Sequence, residues 1–182
     1  MLKGENVRLR LVKESDLTDL CEKWNDPQVR GEWYPVAFVP ESIFRDTYAK
    51  TGFWTDDSQR MLITDHRDNM LGIIHCKTSF ADCVELSYIL FDTNKRKKGY
   101  MTEAVILFVD YLFNNRRLNR IQICVPLNND ASIRVAEKAG FIHEGIARGA
   151  LFLNGEDVDL HVYSILKKEW VVMPVGERPS DN

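Results

Sequence analysis

The sequence predicts an α/β (α+β) domain: a single mixed, mostly antiparallel central sheet of about seven strands flanked by about four helices. Three observations lead there. Segments with strand period and segments with helix period alternate along most of the chain. Three strand candidates follow one another in its middle, separated only by short turn signals, as in an antiparallel meander. The last third ends in what reads as a long hairpin with Asn154-Gly155 at its tip. At 182 residues and 45% apolar content the chain can bury one sizeable core. One domain is therefore expected over 1–170, with a C-terminal tail over 171–182 that has little to bury and is expected to be mobile.

The elements follow in order. "VRLRLV" alternates apolar and basic residues as a strand does, and "ESDLTDLCEKW" continues as a helix capped by Asp16 and ended by "NDP". The aromatic-rich stretch 29–53 contains a second helix, "PESIFRDTYAK", entered at Pro40. "RMLITD", "MLGIIHCKTSF" and "CVELSYILF" are the three strands of the meander, with "HRDN" and "ADC" as turns. Ala104, Leu107, Phe108, Tyr111 and Leu112 recur at three and four, which predicts a helix over 100–114 with one apolar stripe. "RIQICVP" is a strand, "NNDASIRVAEKAGF" a short helix closed by Gly140, and "EGIARGALFLNGEDVDLHVYSIL" the hairpin.

Composition excludes several function classes. Lys plus Arg total 24 against 27 Asp plus Glu, and a net charge of -3 gives no field that would gather nucleic acid or an anionic membrane. The N-terminus lacks a continuous apolar core, and the longest apolar run, "AVILFV", is far short of a membrane span. A soluble cytoplasmic protein is expected. Cys21, Cys76, Cys83 and Cys124 are widely spaced, and no pair of the four histidines falls into H-E-x-x-H, so four buried thiols are expected and neither a disulfide framework nor a metal site.

Against that background "NKRKKGYMTEA" stands out, with four consecutive cations, Lys95, Arg96, Lys97 and Lys98, before Gly99 at a helix entrance. The first N–H groups of a helix lack intrahelical partners and carry partial positive charge, so a loop of this kind can cradle a pyrophosphate. The spacing fits neither G-x-x-x-x-G-K-[ST] nor G-x-G-x-x-G. A solvated charge run, a nucleic-acid patch and an import signal are alternative readings of the same residues.

Three stretches in order resemble the GNAT N-acetyltransferases, in particular the RimJ/RimL-like group that acetylates protein N-termini. "R-K-K-G-Y-M", residues 96–101, resembles the family's acetyl-CoA loop, Q/R-x-x-G-x-G/A, and the following T-E-A continues as in this group. "N-x-x-S-x-x-V-x-E-K-x-G-F", residues 129–141, resembles its second cofactor motif, and "EG…R…NG…D…YS-x-L-x-x-EW", residues 144–170, its closing hairpin. The likeness runs from Val7 to Trp170 and implies the GNAT fold, with a V-shaped splay between the fourth and fifth strands. It departs from the pattern at Met101, where the loop usually has a small residue, and at Ala136, where many members carry a catalytic tyrosine.

The resemblance implies direct transfer of an acetyl group from acetyl-CoA to a primary amine, with acetyl-CoA as co-substrate and no metal. It assigns the phosphates to Arg96, Lys97, Lys98, Gly99, Tyr100, Met101 and Thr102, and an N–H for the thioester oxyanion to Ile89, Leu90 or Phe91. Ser132 becomes the proton donor to the departing thiolate, with Asn128 or Asn129 orienting the cofactor beside it; its other reading is an ordinary first-turn residue. Glu85 is either the base that relays a proton from the amine or an outward-facing strand residue. Trp33, Tyr34, Phe44 and Tyr48 are expected to wall the amine site, with Glu32, Glu41, Asp157 and Asp159 as carboxylates for a cation.

The base also bears on the substrate. An α-amine with a pKa of roughly 7.7 to 8.0 is neutral on the order of a tenth of the time at pH 7, a lysine amine at about 10.4 less than about once in a thousand. A protein or peptide N-terminus is therefore favoured, with a polyamine or aminoglycoside as the alternative acceptor and a non-catalytic CoA-binding module as the alternative role. A homodimer is left open.

Overall fold

The structure, a computed structural model, describes residues 1–172 apart from Val36 and Ala81. Eight strands form one sheet in the order β1-β2-β3-β4-β5-β6-β8-β7. They are β1 (Leu2–Lys3), β2 (Arg8–Leu11), β3 (Ser58–Thr64), β4 (Met70–Thr78), β5 (Cys83–Leu90), β6 (Arg120–Pro126), β7 (Ile142–Leu153) and β8 (Glu156–Leu166). The α-helices are α1 (Leu17–Asn25), α2 (Pro27–Arg30), α3 (Glu41–Thr51), α4 (Tyr100–Asn115), α5 (Asp130–Lys138) and α6 (Lys167–Val172). This is the expected mixed, mostly antiparallel GNAT architecture. The additional elements, β1, α2 and α6, are two to six residues long and too short to show a period. Helix α6 also takes up the first two residues of the expected tail; the rest of that tail lies outside the described residues.

Each face of the sheet carries its own core. On one side Met101, Ala104, Val105, Phe108, Val109 and Leu112 of α4 pack with Ala136 of α5 onto Val84, Leu86, Ile121 and Ile123. On the other, Leu17, Leu20 and Cys21 of α1 and Phe44 of α3 cover Leu62, Ile73 and Ile89. Met101 is thus a core residue with 9% exposure. A side chain larger than the family's usual small one does not crowd the loop, because it points down into the apolar interior at a gain of about 1.5 to 3 kcal/mol.

One expectation beside the first strand, the Asp16 cap, is corrected, and Arg10 is the reason. Alternation puts Arg10 on the solvent side of β2, but it is 8% exposed. Its guanidinium is gripped by Asp16 at 2.6 and 2.9 Å and by Asp68. Asp16 does precede α1, yet its carboxylate serves Arg10 and the Lys13 N–H rather than the first turn of the helix. The two carboxylates compensate the charge that this core position buries.

The feature that builds the site is where β5 and β6 part. They pair in parallel only at Cys83↔Arg120, Val84↔Ile121 and Glu85↔Gln122. Beyond Glu85, β5 continues against β4 as far as Gly72↔Leu90, while β6 stays with β8 to Pro126↔Leu160. The rest of β5 therefore faces a wedge-shaped gap on its β6 side, the splay expected between the fourth and fifth strands of the seven.

Candidate active site

The loop at the mouth of the gap has its amides free. Asp92 caps a short 3₁₀ turn over Thr93–Lys95, accepting the Asn94 N–H at 2.8 Å. Lys97 and Gly99 then take left-handed conformations, φ 61° and 80°, and α4 begins. Arg96 donates its N–H to the Thr93 carbonyl and Glu103 to that of Gly99; among the described residues no backbone N–H from 97 to 102 has a partner. Arg96 thus drops out as a backbone donor, and its side chain leans toward Gly31 at the end of α2. A Cβ added at Gly99 would meet nothing within 4 Å, so the space before these N–H groups is open. A row of unspent amides at a helix N-terminus, beside the exposed cations Arg96, Lys97 and Lys98, fits the pyrophosphate of acetyl-CoA.

Along β5 the three residues expected to supply an oxyanion donor divide. Phe91 gives its N–H to the Leu71 carbonyl on the β4 side. The alternation of an antiparallel ladder turns Ile89 the same way and Leu90 the other way, toward the gap. Leu90 alone of the three offers its N–H there.

Ser132 sits in the first turn of α5, where its N–H is taken by Asn129 Oδ1 at 3.1 Å. Asn129 is therefore occupied as the helix cap, while Asn128 is exposed and without a side-chain partner among the described residues. The Ser132 hydroxyl meets Tyr88 OH at 2.8 Å. Burial raises the Tyr88 phenol above the ordinary tyrosine range, with the Ser132 bond opposing, so it is neutral at physiological pH. Ala136 is fully buried in the α4 core. The tyrosine missing from α5 has a counterpart reaching that helix from β5, and "VELSYIL" carries no sequence signal for it.

Glu85 lies three residues from Tyr88 on the same strand, so the two point to opposite faces of the sheet. Its Oε2 accepts from Gln122 Nε2 at 2.9 Å and faces Cys124 Sγ at 3.5 Å. Cys124 is half-buried, unlike Cys21, Cys76 and Cys83, and burial together with the Glu85 carboxylate pushes its thiol up to about 12. Glu85 and Ser132 thus flank the gap from opposite faces and do not touch.

On the Glu85 face a cavity of about 200 Å³ is lined by Trp24, Tyr34, Arg60, Ile73, His75, Ser87, Tyr88 and Ile89. Its floor is one cross-strand row, Arg60↔His75 and His75↔Ser87. Of the expected pocket residues only Tyr34 lines it. Trp33 does not, and Phe44 and Tyr48 pack on Phe53 at 4.9 and 5.7 Å instead. None of the expected carboxylates lines it either. Glu41 pairs with Arg45 and Thr18, Asp159 accepts the Gly149 N–H, Asp157 is exposed on β8, and Glu32 holds the hairpin tip through its carbonyl and Asn154. His75 bonds Ser58 at 2.8 Å and Ser87 at 3.3 Å; burial first, then Arg60 and Lys77, lower its pKa to about 4. Trp24, Arg60, His75 and Ser87 are spread over four elements, α1, β3, β4 and β5, and nothing in the sequence brings them together.

Comparison with known proteins agrees with this geometry. Residues 6–142 match the model of the "Acetyltransferase (GNAT) domain". The chain is 37% identical to "Probable N-acetyltransferase YjcK" of Bacillus subtilis, over 93% of this chain and 98% of that one. It is 32% identical to "Putative ribosomal N-acetyltransferase YdaF" of the same organism, over 92% and 94%. Among solved structures, spermidine N-acetyltransferase from Vibrio cholerae in complex with CoA and spermine superposes with a TM-score of 0.81 at 20% identity, covering 92% of this chain and 99% of that one. With its splayed sheet, its amide-lined loop and a family match over three quarters of its length, the chain belongs to the GNAT acetyltransferases, enzymes that transfer an acetyl group from acetyl-CoA to an amine.

Proposed function

We propose that the acceptor is the α-amine of a protein or peptide N-terminus, in the manner of the RimJ/RimL-like group. The observation that carries this is the charge of the cavity beside Tyr88: among the described residues no carboxylate lines it. A polyamine site has to balance several ammonium groups, whereas an N-terminal amine brings only one, is already neutral on the order of a tenth of the time at pH 7, and needs only a mild base. The name of the 32% identical relative points the same way. A polyamine acceptor is the second reading, favoured by the spermidine enzyme that shares the fold.

In this reading the N–H groups of residues 97–102, with Arg96, Lys97, Lys98 and Asn128 at the rim, hold the cofactor phosphates, and the Leu90 N–H receives the thioester oxygen as it gains charge. The amine lone pair attacks the carbonyl carbon, the C–S bond breaks, and the amine's surplus proton leaves toward Glu85 or water. Tyr88 and Ser132 share a hydrogen-bonded proton that can follow the departing sulfur; Asn129 fixes the helix turn that presents Ser132. A thiol pKa near 8.5 keeps the demand on that donor modest. One catalytic domain over 1–170 and a cytoplasmic location accompany the proposal. Four free cysteines suit a reducing compartment, as does a reaction fed by acetyl-CoA. The test is thiol release from acetyl-CoA with a panel of peptides and polyamines: transfer to spermidine and to none of the peptides overturns the N-terminal reading.

A further inference from the structure

We propose that Arg60 binds a carboxylate of the acceptor, so that the enzyme selects peptides whose N-terminal residue is acidic; this rests on the N-terminal reading above. Arg60 stands on the cavity floor in one row with His75 and Ser87, cross-strand neighbours on β3, β4 and β5. Its guanidinium carbon lies 5.2 Å from the Trp24 ring centre and 4.9 Å from that of Phe53. Such contacts engage the π face of a guanidinium and leave its in-plane N–H groups for a ligand. Among the described residues no carboxylate comes within ion-pair distance and no acceptor within hydrogen-bond distance of it; the arginines that do have acid partners are Arg10, Arg45 and Arg120.

The surroundings deepen the positive potential. Arg30 also packs on Trp24, at 5.6 Å, and its bonds go to the carbonyls of Trp24 and Ala37 rather than to an acid. Burial lowers the pKa of Arg60 and of Arg30, and His75 at about 4 is neutral, which leaves Arg60 as the one formal charge among the lining residues. A partly buried cation without a counter-ion is costly, and a bound carboxylate relieves it. The planar guanidinium fork matches a carboxylate bidentately.

Polarity agrees with an acidic residue. Arg60 and Trp24 line both the cavity of about 200 Å³ and a neighbouring space of about 350 Å³, and among the described residues no carboxylate lines either. Glu85 projects from the same face of β5 as Ser87, two residues or roughly 7 Å along the strand. An acceptor with its carboxylate on Arg60 can therefore turn its amine toward Glu85. A polyamine laid in the same cavity sets an ammonium against Arg60.

The shared chemistry is a carboxylate a few atoms from the acceptor amine, and it has two sources: the side chain of an N-terminal Asp or Glu, or the α-carboxylate of a free amino acid. The experiment measures kcat/KM with acetyl-CoA for peptides identical except for an N-terminal Glu or Gln, or Asp or Asn, and for free glutamate and spermidine. The acidic peptides are expected to lead their amides by roughly 10- to 100-fold, the range of a charge-assisted hydrogen bond. Arg60→Gln should level each pair and Arg60→Lys restore part of the preference, with an unchanged acetyl-CoA melting shift reporting an intact fold. Equal rates for Glu and Gln peptides on the unaltered enzyme overturn the carboxylate site and leave the N-terminal reading standing. Transfer to free glutamate and not to peptides keeps the carboxylate site and removes the N-terminal reading. A preference that survives Arg60→Gln removes Arg60, and spermidine as the best acceptor overturns both readings.

Discussion

The Tyr88 hydroxyl meets Ser132 Oγ at 2.8 Å, a bond that joins β5 to the first turn of α5 across the gap where β5 and β6 separate. Either oxygen can be the donor, so the pair behaves as one proton-carrying unit. Ser132→Ala and Tyr88→Phe should each lower kcat with little change in acetyl-CoA affinity, because the lost interaction strengthens only in the transition state. The low thiol pKa places the loss near or below the bottom of the roughly 10²- to 10⁴-fold range for general acids. The double variant should cost little more than either single one, as for residues in one hydrogen-bonded unit. A raised acetyl-CoA Kd with normal kcat would make the pair a cofactor contact instead.

Gly99 is the second test point. Its φ of 80° is open to glycine and strained for other residues, but an added Cβ has free space around it. Gly99→Ala should therefore cost only the left-handed backbone penalty, roughly 1 to 2 kcal/mol, and weaken acetyl-CoA modestly. Gly99→Pro cannot adopt this φ and loses an N–H from the loop, so it should abolish the acetyl-CoA-induced rise in Tm. Calorimetric titration of the two variants checks the order; equal affinities would place the phosphates elsewhere.

Much of the fold was legible because long elements announce themselves by period. The meander, α4 and the Asn154-Gly155 hairpin fall within a few residues of their expected limits. The cofactor loop was legible too, since cations and a glycine at a helix entrance are contiguous. The acceptor side was not. Arg60, His75 and Ser87 meet through the register of three strands, which no local pattern encodes, and Trp24 joins them from α1. Expecting acidic residues there followed from reading exposed carboxylates as free, whereas Glu41 and Asp159 are spent on their own neighbours.

His75 gives the fold a pH dependence of known sign. Burial, Arg60 and Lys77 hold its folded pKa at about 4, against an ordinary value of 6.5. Between those values the unfolded chain binds a proton that the folded chain refuses, so stability rises with pH across this window. The contribution is fully present above pH 6.5 and is eroded as the pH falls toward 4. His75→Gln should flatten the dependence of Tm on pH from 6.5 to 4.5. Asp68, drawn down by its hydrogen bond from Arg10, acts only at lower pH and does not confound the comparison. A Tm slope in that window that is the same in both proteins would mean His75 charges freely in the folded state.

Glu85 remains to be divided between base and brace. Its carboxylate receives Gln122 Nε2 and the Cys124 thiol at the last paired position of β5 and β6, so it ties the two strands at the point where they part. It also faces the cavity side, within reach of an amine held there. Glu85→Gln keeps the size, so the brace survives in part while a proton acceptor is lost. As a brace alone, it should lower Tm and leave the relative rates of different acceptors unchanged. As a base, it should matter more the more basic the amine, since a lysine-type amine is neutral at pH 7 on the order of a hundredfold less often than an α-amine. The expected outcome is a loss in kcat of roughly 10²-fold for a lysine side-chain acceptor and clearly less for an N-terminal amine, where water suffices once the neutral form is present. Rates for both acceptor types with the unaltered enzyme and with Glu85→Gln, read alongside their Tm values, decide it: a uniform loss that follows stability assigns Glu85 to the brace.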